Sequence, residues 1–480
     1  MHGSVTAVVL AAGIASRFGS PKLLAPLAGR AVLQHVLDTL AGAGVGRVVV
    51  VLGAHAEAIE AAITWRSERR AYNARPEDGL GSSLRIGLAA VDPASDAALI
   101  VLGDQPTLRA DVVDTLLAAD PGGLAMAIVP AYAQGGGANP VLLRRSGFAL
   151  AEGLSGDLGL GGILSRSPDV ERVPVPGSIA DVDTPADMAS LVEAAWAERV
   201  RANREQVDRL REVPDGPDFY GPISSLFRAD PRRTDDAVLD VLLTEAEADD
   251  TWLDVGAGAG RFALPVAMRV REVIALDPSE RMLAGLREIA AELGIANVRT
   301  VLARWPLTDP GAAEALRADV VLIAHVGYDV ESIGPFVLAL EAAARRRCLA
   351  VLMERQPAST IDPFWPLVHV EPRVPLPALP QFLELLRARG RTPAVTYLPR
   401  PAARYGTFEE VLAFARRQTW VAEGSDKDQR LVAAIRDRAT ETSEGWTLAA
   451  PDMRMGVVTW SPGAQPLEPA TTAATDGSRL

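Results

Sequence analysis

Two apolar runs that end in small residues and glycine constrain this chain more than any other feature. Thr6–Leu10 runs into Ala11-Ala12-Gly13-Ile14-Ala15-Ser16-Arg17-Phe18-Gly19-Ser20-Pro21-Lys22, and Trp252–Val255 runs into Gly256-Ala257-Gly258-Ala259-Gly260. A compact apolar run closed by glycine reads as a strand buried on both faces, the kind found in parallel sheets covered by helices. The periodicity then changes as such a sheet requires. Val32, Leu33, Val36, Leu37 and Leu40 recur at helical spacing before the next run, Val48–Leu52, and Ala97–Leu102, Ala125–Val129 and Val173–Val175 predict further strands. The second half alternates in the same way: helix Phe262–Met268, strand Val273–Leu276, helix Ser279–Leu293, strands Val298–Leu302 and Val320–Ala324, helix Pro335–Arg345 and strand Leu349–Met353. The fold class is therefore α/β, with two mainly parallel sheets.

The 480 residues carry a net charge of −13, one cysteine (Cys348) and five scattered histidines. These exclude an internal disulfide, a cysteine-bound zinc and a broad nucleic-acid footprint. No run reaches the ~18 apolar residues of a membrane span. The N-terminus lacks a basic region followed by a signal-like core. The expectation is a cytoplasmic protein with no membrane or nucleic-acid partner. The Ala/Glu/Arg-rich stretch up to Arg211 and the break at Val213-Pro214-Asp215-Gly216-Pro217 predict domains at 1–195 and 218–463, a linking helix at 196–217 and a disordered tail at 464–480. The proline-rich stretch Ile361–Pro380 reads as a lid or insertion, and Arg345-Arg346-Arg347 as a cation cluster at a helix C-terminus.

The first small-residue loop lets backbone N–H groups approach a phosphate chain, with Arg17 and Lys22 placed to neutralise it. A plain tight turn with two exposed basic residues is the alternative. Only Lys22 and Lys427 are lysines, so 46 of the 48 basic residues are arginine, and Lys22 marks a position that wants a compact ammonium. Asp104, directly after Ala97–Leu102, falls at a strand's carboxyl end, where open α/β sheets bind ligands. With Asp183 it would supply the two carboxylates Mg²⁺ accepts beside water and phosphate oxygens. Either aspartate alone also reads as a turn or helix-capping residue.

The stretch Val5–Leu191 resembles the molybdenum cofactor cytidylyltransferases (MocA-like) of the MobA-like NTP transferase family. The motifs that carry the resemblance are Leu10-Ala11-Ala12-Gly13 with Arg17 and Lys22, Asn73 with Gly79-Leu80-Gly81-Ser82-Ser83, Gly103-Asp104-Gln105-Pro106, Asn139-Pro140, Gly156-Asp157-Leu158-Gly159 and Asp181-Val182-Asp183-Thr184-Pro185. The resemblance implies that Leu10, Ala12, Gly13 and Ser82 line the nucleotide, that Arg17, Lys22, Asp104 and Asp183 are catalytic, and that Asp104 and Asp183 hold Mg²⁺. The reaction implied is cytidylyl transfer from CTP to the phosphate of molybdopterin. Two departures stand out: Ala15 replaces a frequent serine, and Asn139 a frequent histidine.

In the second half, Asp254 precedes the triple-glycine turn and Asp277 ends the next strand, where a carboxylate can accept ribose hydroxyls. Arg261 stands where a dinucleotide fingerprint needs glycine, which disfavours NAD. The segment Tyr220–Trp460 resembles the class I S-adenosylmethionine (SAM)-dependent methyltransferases, through Asp254-Val255-Gly256-Ala257-Gly258-Ala259-Gly260 and Leu276-Asp277-Pro278-Ser279. The resemblance implies a Rossmann-like sheet with Gly256, Gly258 and Gly260 beside the methionine portion, Asp277 on the ribose, and Arg304-Trp305 near the adenine. Trp305 reads equally as a packing residue. His325 and Tyr328 follow the fourth strand, where an acceptor is oriented, and Phe364, Trp365 and His369 are candidates to cap it. The expectation is a bifunctional enzyme acting on small molecules, with a molybdenum hydroxylase apo-enzyme as a possible protein partner. The alternatives are a cofactor-delivery chaperone and a pyrimidine nucleotidyltransferase for another phosphorylated small molecule, with a SAM-binding sensor as the alternative for the second domain.

Overall fold

The computed structural model describes residues 5–14, 18, 21–119, 125–135, 137–154, 156, 159–214, 229–400, 403–443, 445–448 and 452–463. The expected tail at 464–480 lies outside them, as do Ala15, Arg17, Asp157 and Leu158. The chain divides into two compact units, Met1–Val192 and Glu193–Leu480.

In the first unit seven strands form one sheet, in the order Arg69–Tyr72, Arg47–Leu52, Val5–Ala11, Ala97–Leu102, Val141–Arg144, Ala127–Tyr132, Val170–Val175. Val5–Ala11 pairs in parallel with both neighbours, Val8 standing opposite Val49 on one side and Ile100 on the other. Ala7, Val8 and Val9 are fully buried, which explains why their run shows no polar alternation. Val141–Arg144 is antiparallel to both of its neighbours, so the sheet is mixed. The chain moves outward from Val5–Ala11 to Arg69–Tyr72 and then returns to the other side at Ala97–Leu102. That reversal leaves a crevice at the carboxyl ends of these two central strands. The helix Leu80–Ala89 packs closely on the sheet, because Gly87 carries no side chain. A Cβ there would lie 2.3 Å from Val8 Cγ1 and 3.1 Å from Val51 Cγ2.

The second unit repeats the design with the order Val298–Leu302, Glu272–Asp277, Thr251–Val255, Ala318–Ala324, Ala344–Met353, Arg454–Trp460, Ala394–Pro399. The first five strands run parallel and Arg454–Trp460 runs against both of its neighbours. The reversal here lies between Thr251–Val255 and Ala318–Ala324. Glu280–Leu293 shows how the sequence bounds its helices: Ser279 caps the start by accepting from Met282 N, and Gly294 closes the end at φ 69°. The stretch read as a linking helix is the end of a longer one, Pro185–Leu210. Its later residues bond within the second unit: Trp196 Nε1 donates to Val330 O (2.9 Å), Val374 N to Gln206 Oε1 (2.7 Å), and Lys427 Nζ to Leu210 O (2.7 Å).

Two expectations need correction. Arg345-Arg346-Arg347 lie in the strand Ala344–Met353, which begins directly after the helix Ile333–Ala343, and not in the helix's last turn. Each meets an acid: Asp319 at 3.4 Å, Asp250 at 2.6 Å and Glu245 at 3.4 Å respectively. Nor is Ile361–Pro380 a lid. Ile361, Phe364, Trp365 and Val368 are fully buried, and three of them share a core with Val411, Leu412, Leu431 and Ile435 of the helices Phe408–Thr419 and Asp426–Arg438. Three of its six prolines, Pro363, Pro366 and Pro380, sit in the first turn of helices, where the missing N–H costs nothing.

Gly87→Ala should destabilise the first unit by about 1–2 kcal/mol, since overpacking outweighs the gain in helix propensity. Urea denaturation checks this; unchanged or higher stability would mean that the helix stands further from the sheet.

Candidate functional site

At the first crevice, Lys22 opens the short turn Lys22–Leu24, which buried Leu23 anchors. Its Nζ donates to Asp104 Oδ2 at 2.6 Å and to Asp183 Oδ1 at 2.9 Å. Three distant parts of the chain thus converge on one ammonium. Backbone bonds hold Asp104 in place: Gly103 N donates to Leu10 O (2.9 Å), and Val182 N donates to Asp104 O (3.0 Å). A Cβ on Gly103 would lie 3.0 Å from Leu10 O, so glycine suits the close approach. Buried Gln105 holds the neighbouring loop through Nε2 to Asp181 Oδ1 at 2.6 Å. The Asp187 carboxylate accepts from Asp183 N (3.1 Å) and Thr184 N (2.8 Å), fixing the turn that presents Asp183.

Burial works against the Lys22 ammonium, but Asp104 and then Asp183 more than offset it, so its pKa rises above the ordinary lysine value. Burial lifts the Asp104 carboxyl above its usual range, with Lys22 pulling the other way. Between these opposing effects the direct 2.6 Å contact favours the charged pair at neutral pH.

Leu10 and Ala12 are buried, whereas a Cβ on Gly13 would meet nothing within 4 Å, so the backbone opens outward at Gly13. Gly53 lets the next strand's loop close on this turn, since a Cβ there would sit 2.5 Å from Ala12 O. Ser82 has a positioning role: its hydroxyl donates to Gly79 O and accepts from Asn73 Nδ2, each at 2.8 Å. Among the described residues no group of three His, Cys, Asp or Glu is arranged to hold a metal. Two carboxylates that already hold a cation nevertheless fit Mg²⁺, which takes its remaining ligands from water and phosphate.

In the second crevice Gly256 N and Ala257 N donate to Leu276 O at 2.7 and 3.1 Å. Gly258 N donates to Asp277 Oδ2 at 2.9 Å and Ser279 N to Asp277 Oδ1 at 2.8 Å. All three glycines have positive φ: 78°, 55° and 87° at Gly256, Gly258 and Gly260. Their surroundings differ. A Cβ on Gly256 would strike Val326 Cγ2 at 2.4 Å and one on Gly260 would strike Leu264 Cγ at 2.8 Å, whereas Gly258 faces open space. Gly256 and Gly260 therefore serve packing, and Gly258 is where a ligand can pass along the backbone. Asp254 is 3% exposed and its Oδ1 has no hydrogen-bond partner. Burial, reinforced by Asp277, pushes its carboxyl up to about 7. An unpartnered buried oxygen beside an open glycine fits an adenosine-bearing cationic ligand such as SAM.

Arg304 is exposed, whereas Trp305 is buried and directs Nε1 to Phe336 O at 3.4 Å, a packing position. His325 has φ 59° and an unpartnered Nδ1; burial, followed by Arg261 and Arg400, lowers its pKa to about 4, so it is neutral at pH 7. Phe364, Trp365 and His369 are not brought to this crevice as caps. They are buried, and His369 Nε2 bonds Thr419 O at 2.9 Å.

Comparison with known proteins identifies both domains. Residues 7–171 match the family model described as the MobA-like NTP transferase domain, and residues 253–335 match one described as a methyltransferase domain. The chain joins a MobA-like NTP transferase domain to a methyltransferase domain. Among curated relatives of the NTP transferase domain, the bifunctional protein GlmU of Burkholderia orbicola is 40% identical over 112 residues, covering 23% of this chain and 24% of the relative. GlmU of Agrobacterium fabrum is 32% identical over 132 residues, 27% and 29% respectively. The chain thus spans about a quarter of the length of the curated relatives it matches. Among solved structures, Rv0371c of Mycobacterium tuberculosis is 32% identical, covering 40% of this chain and 100% of that one at a TM-score of 0.36. YcgJ of Bacillus subtilis is 16% identical over 47% of this chain and 98% of its own, at a TM-score of 0.34.

Several residues that shape these domains escaped sequence reading. Gly53 and Gly87 act through close approach, which leaves no local pattern. Asn73 was noticed only within a motif, yet its amide bonds both Ser82 and Ser83 (2.8 and 3.0 Å) and accepts from Arg75 N (3.0 Å).

Asp254 yields a pH prediction for the methyltransferase domain. With a folded pKa of about 7 above the usual 3.8, the parent loses stability as pH rises from about 4 to 7 and then levels off. Asp254→Asn removes that loss and should gain about 2 kcal/mol more, relative to the parent, at pH 8 than at pH 5. Chemical denaturation at the two pH values checks it; equal differences would mean that Asp254 is charged throughout.

Proposed function

We propose that the NTP transferase domain transfers a cytidylyl group from CTP to a molybdopterin-type phosphate in a Mg²⁺-dependent reaction, and that the methyltransferase domain methylates a small acceptor from SAM. The observation that carries the first half is the Lys22 ammonium shared by Asp104 and Asp183 at the crevice beside Gly13. A polyphosphate laid along the backbone at Gly13 competes for that ammonium. As Lys22 turns to the phosphates, Asp104 and Asp183 can take another cation in its place. Mg²⁺, when bound there, would neutralise charge on the phosphate oxygens.

The acceptor's phosphate oxygen forms a bond to the α-phosphorus of CTP while the bond to the β-phosphate bridging oxygen breaks, and pyrophosphate leaves with that electron pair. The attacking phosphate is already ionised at neutral pH, so the chain needs no general base. Lys22 serves as a point charge on the leaving group, a task for a compact ammonium. The choice of CTP rests on the likeness of Leu10-Ala11-Ala12-Gly13 and Gly103-Asp104-Gln105-Pro106 to the cytidylyl branch. The pairing of the two domains suggests service to one pathway, with a molybdenum hydroxylase apo-enzyme as the recipient of the product.

The test is pyrophosphate release from CTP and from GTP with molybdopterin under Mg²⁺. CTP should be preferred, and Lys22→Ala or Asp104→Ala should lower turnover ~100-fold or more without unfolding the protein. Turnover that requires a different phosphorylated acceptor would favour a broader pyrimidine nucleotidyltransferase. Tight molybdopterin binding without turnover would favour a delivery chaperone. Normal turnover by either variant would overturn the assignment of the residues.

The ion triad also makes metal and nucleotide binding interdependent. Lys22→Ala should bind Mn²⁺ without nucleotide at least ~10-fold more tightly than the parent, measured by electron paramagnetic resonance, because no ammonium has to be displaced. Equal affinities would show that Lys22 does not hold the place of a metal.

A further inference from the structure

In the methyltransferase domain, four strands deliver a second set of polar groups to the same edge as the glycine turn. The register pairs Ala324 with Val351, Met353 with Met455, and Pro399 with Arg454. The residues just beyond Ala318–Ala324, Ala344–Met353 and Ala394–Pro399, and just before Arg454–Trp460, therefore line up along one edge. They include His325, Arg400 and Met453, and hydrogen bonds bring Tyr328, which accepts from Met353 N at 2.7 Å, and Thr360, which accepts from Arg400, to the same edge. The edge adjoins the glycine turn, since Val255 stands opposite Ile323 and Val326 lies directly against Gly256.

Arg400 is fastened by its backbone and by one arm of its guanidinium: N donates to Met453 O at 2.8 Å, and Nη1 to Thr360 Oγ1 at 3.2 Å. Among the described residues it forms no ion pair with a carboxylate. A half-buried guanidinium without a counter-ion is costly. A second, independent feature lies beside it in the chain. Tyr405 is 8% exposed, its ring packs against Phe414, and its hydroxyl has no hydrogen-bond partner. His325 Nδ1 is likewise buried and unpartnered.

We propose that this edge is the methyl-acceptor subsite and that the acceptor carries an anionic oxygen group, a carboxylate or a phosphate, held by the Arg400 guanidinium and the Tyr405 hydroxyl. Such a group satisfies both features at once: it supplies Arg400 with a charge and Tyr405 with an acceptor. A planar fork with one arm occupied by Thr360 still has donors for an oxyanion. Neutral His325 lies between this group and the glycine turn along the edge, and shapes the acceptor without adding charge. The inference rests on the reading that SAM binds at Gly258.

The test uses the full chain saturated with S-adenosylhomocysteine and titrated calorimetrically with benzoate, phenyl phosphate and benzamide, three probes that share a ring and differ in charge. At least one anion should bind ~10-fold or more tightly than benzamide, and the preferred anion assigns carboxylate or phosphate. Arg400→Gln and Tyr405→Phe should each abolish that preference while S-adenosylhomocysteine affinity stays within about twofold. Arg400→Lys keeps the charge and the packed stem, so a weakened preference there guards against simple misfolding of the glutamine variant. Benzamide binding as well as the anions, no probe binding, or unchanged anion affinity in Arg400→Gln would overturn the proposal. Failure of the parent to bind S-adenosylhomocysteine would instead overturn the reading on which it rests.

Discussion

Val5–Ala11 and Thr251–Val255 are flanked on both sides by parallel neighbours and buried on both faces, and the rest of each unit follows from that burial. A strand so enclosed has no face left for polar side chains. Its neighbours must be reached by crossovers, and every polar group with work to do is displaced to the strand ends. Where the order of strands reverses, two such ends part and leave room for a ligand. Lys22, Asp104 and Asp183 meet at one such gap, and Asp254, Gly258 and Asp277 at the other.

The two sites treat charge in opposite ways. The first brings a cation between two anions, so its polar groups are matched within the site. The second leaves polar atoms unmatched: a carboxyl oxygen of Asp254, the Tyr405 hydroxyl, a nitrogen of His325. Unmatched atoms suit a site that its ligands complete.

Much of this was readable from the chain. The apolar runs located both central strands to within a residue or two, because continuous burial leaves a continuous pattern. Asp104 stood out at a strand end, Asp183 in a motif before a helix and Lys22 as a rare lysine after the first loop, and the structure brings these three together. What failed did so for physical reasons. Arg345-Arg346-Arg347 looked like a helix terminus because nothing local distinguishes a strand's polar entrance, paired to acids far away in sequence, from a helix end. Prolines between Ile361 and Pro380 suggested an excursion, yet proline is equally at home in the first turn of a helix, and burial of Phe364 depends on partners more than forty residues away. Trp305 was ambiguous by composition and is resolved only by where its indole nitrogen points.

The scarcity of lysine has a practical consequence. Of the two side-chain amines in the chain, Lys427 is tied to the Leu210 carbonyl, and Lys22 sits between two carboxylates at the first crevice. An amine-directed acylating reagent therefore has very few places to act on a protein of 480 residues. Its reaction at Lys22 would follow the occupancy of that crevice almost free of background, a built-in reporter that a surface rich in lysine would drown.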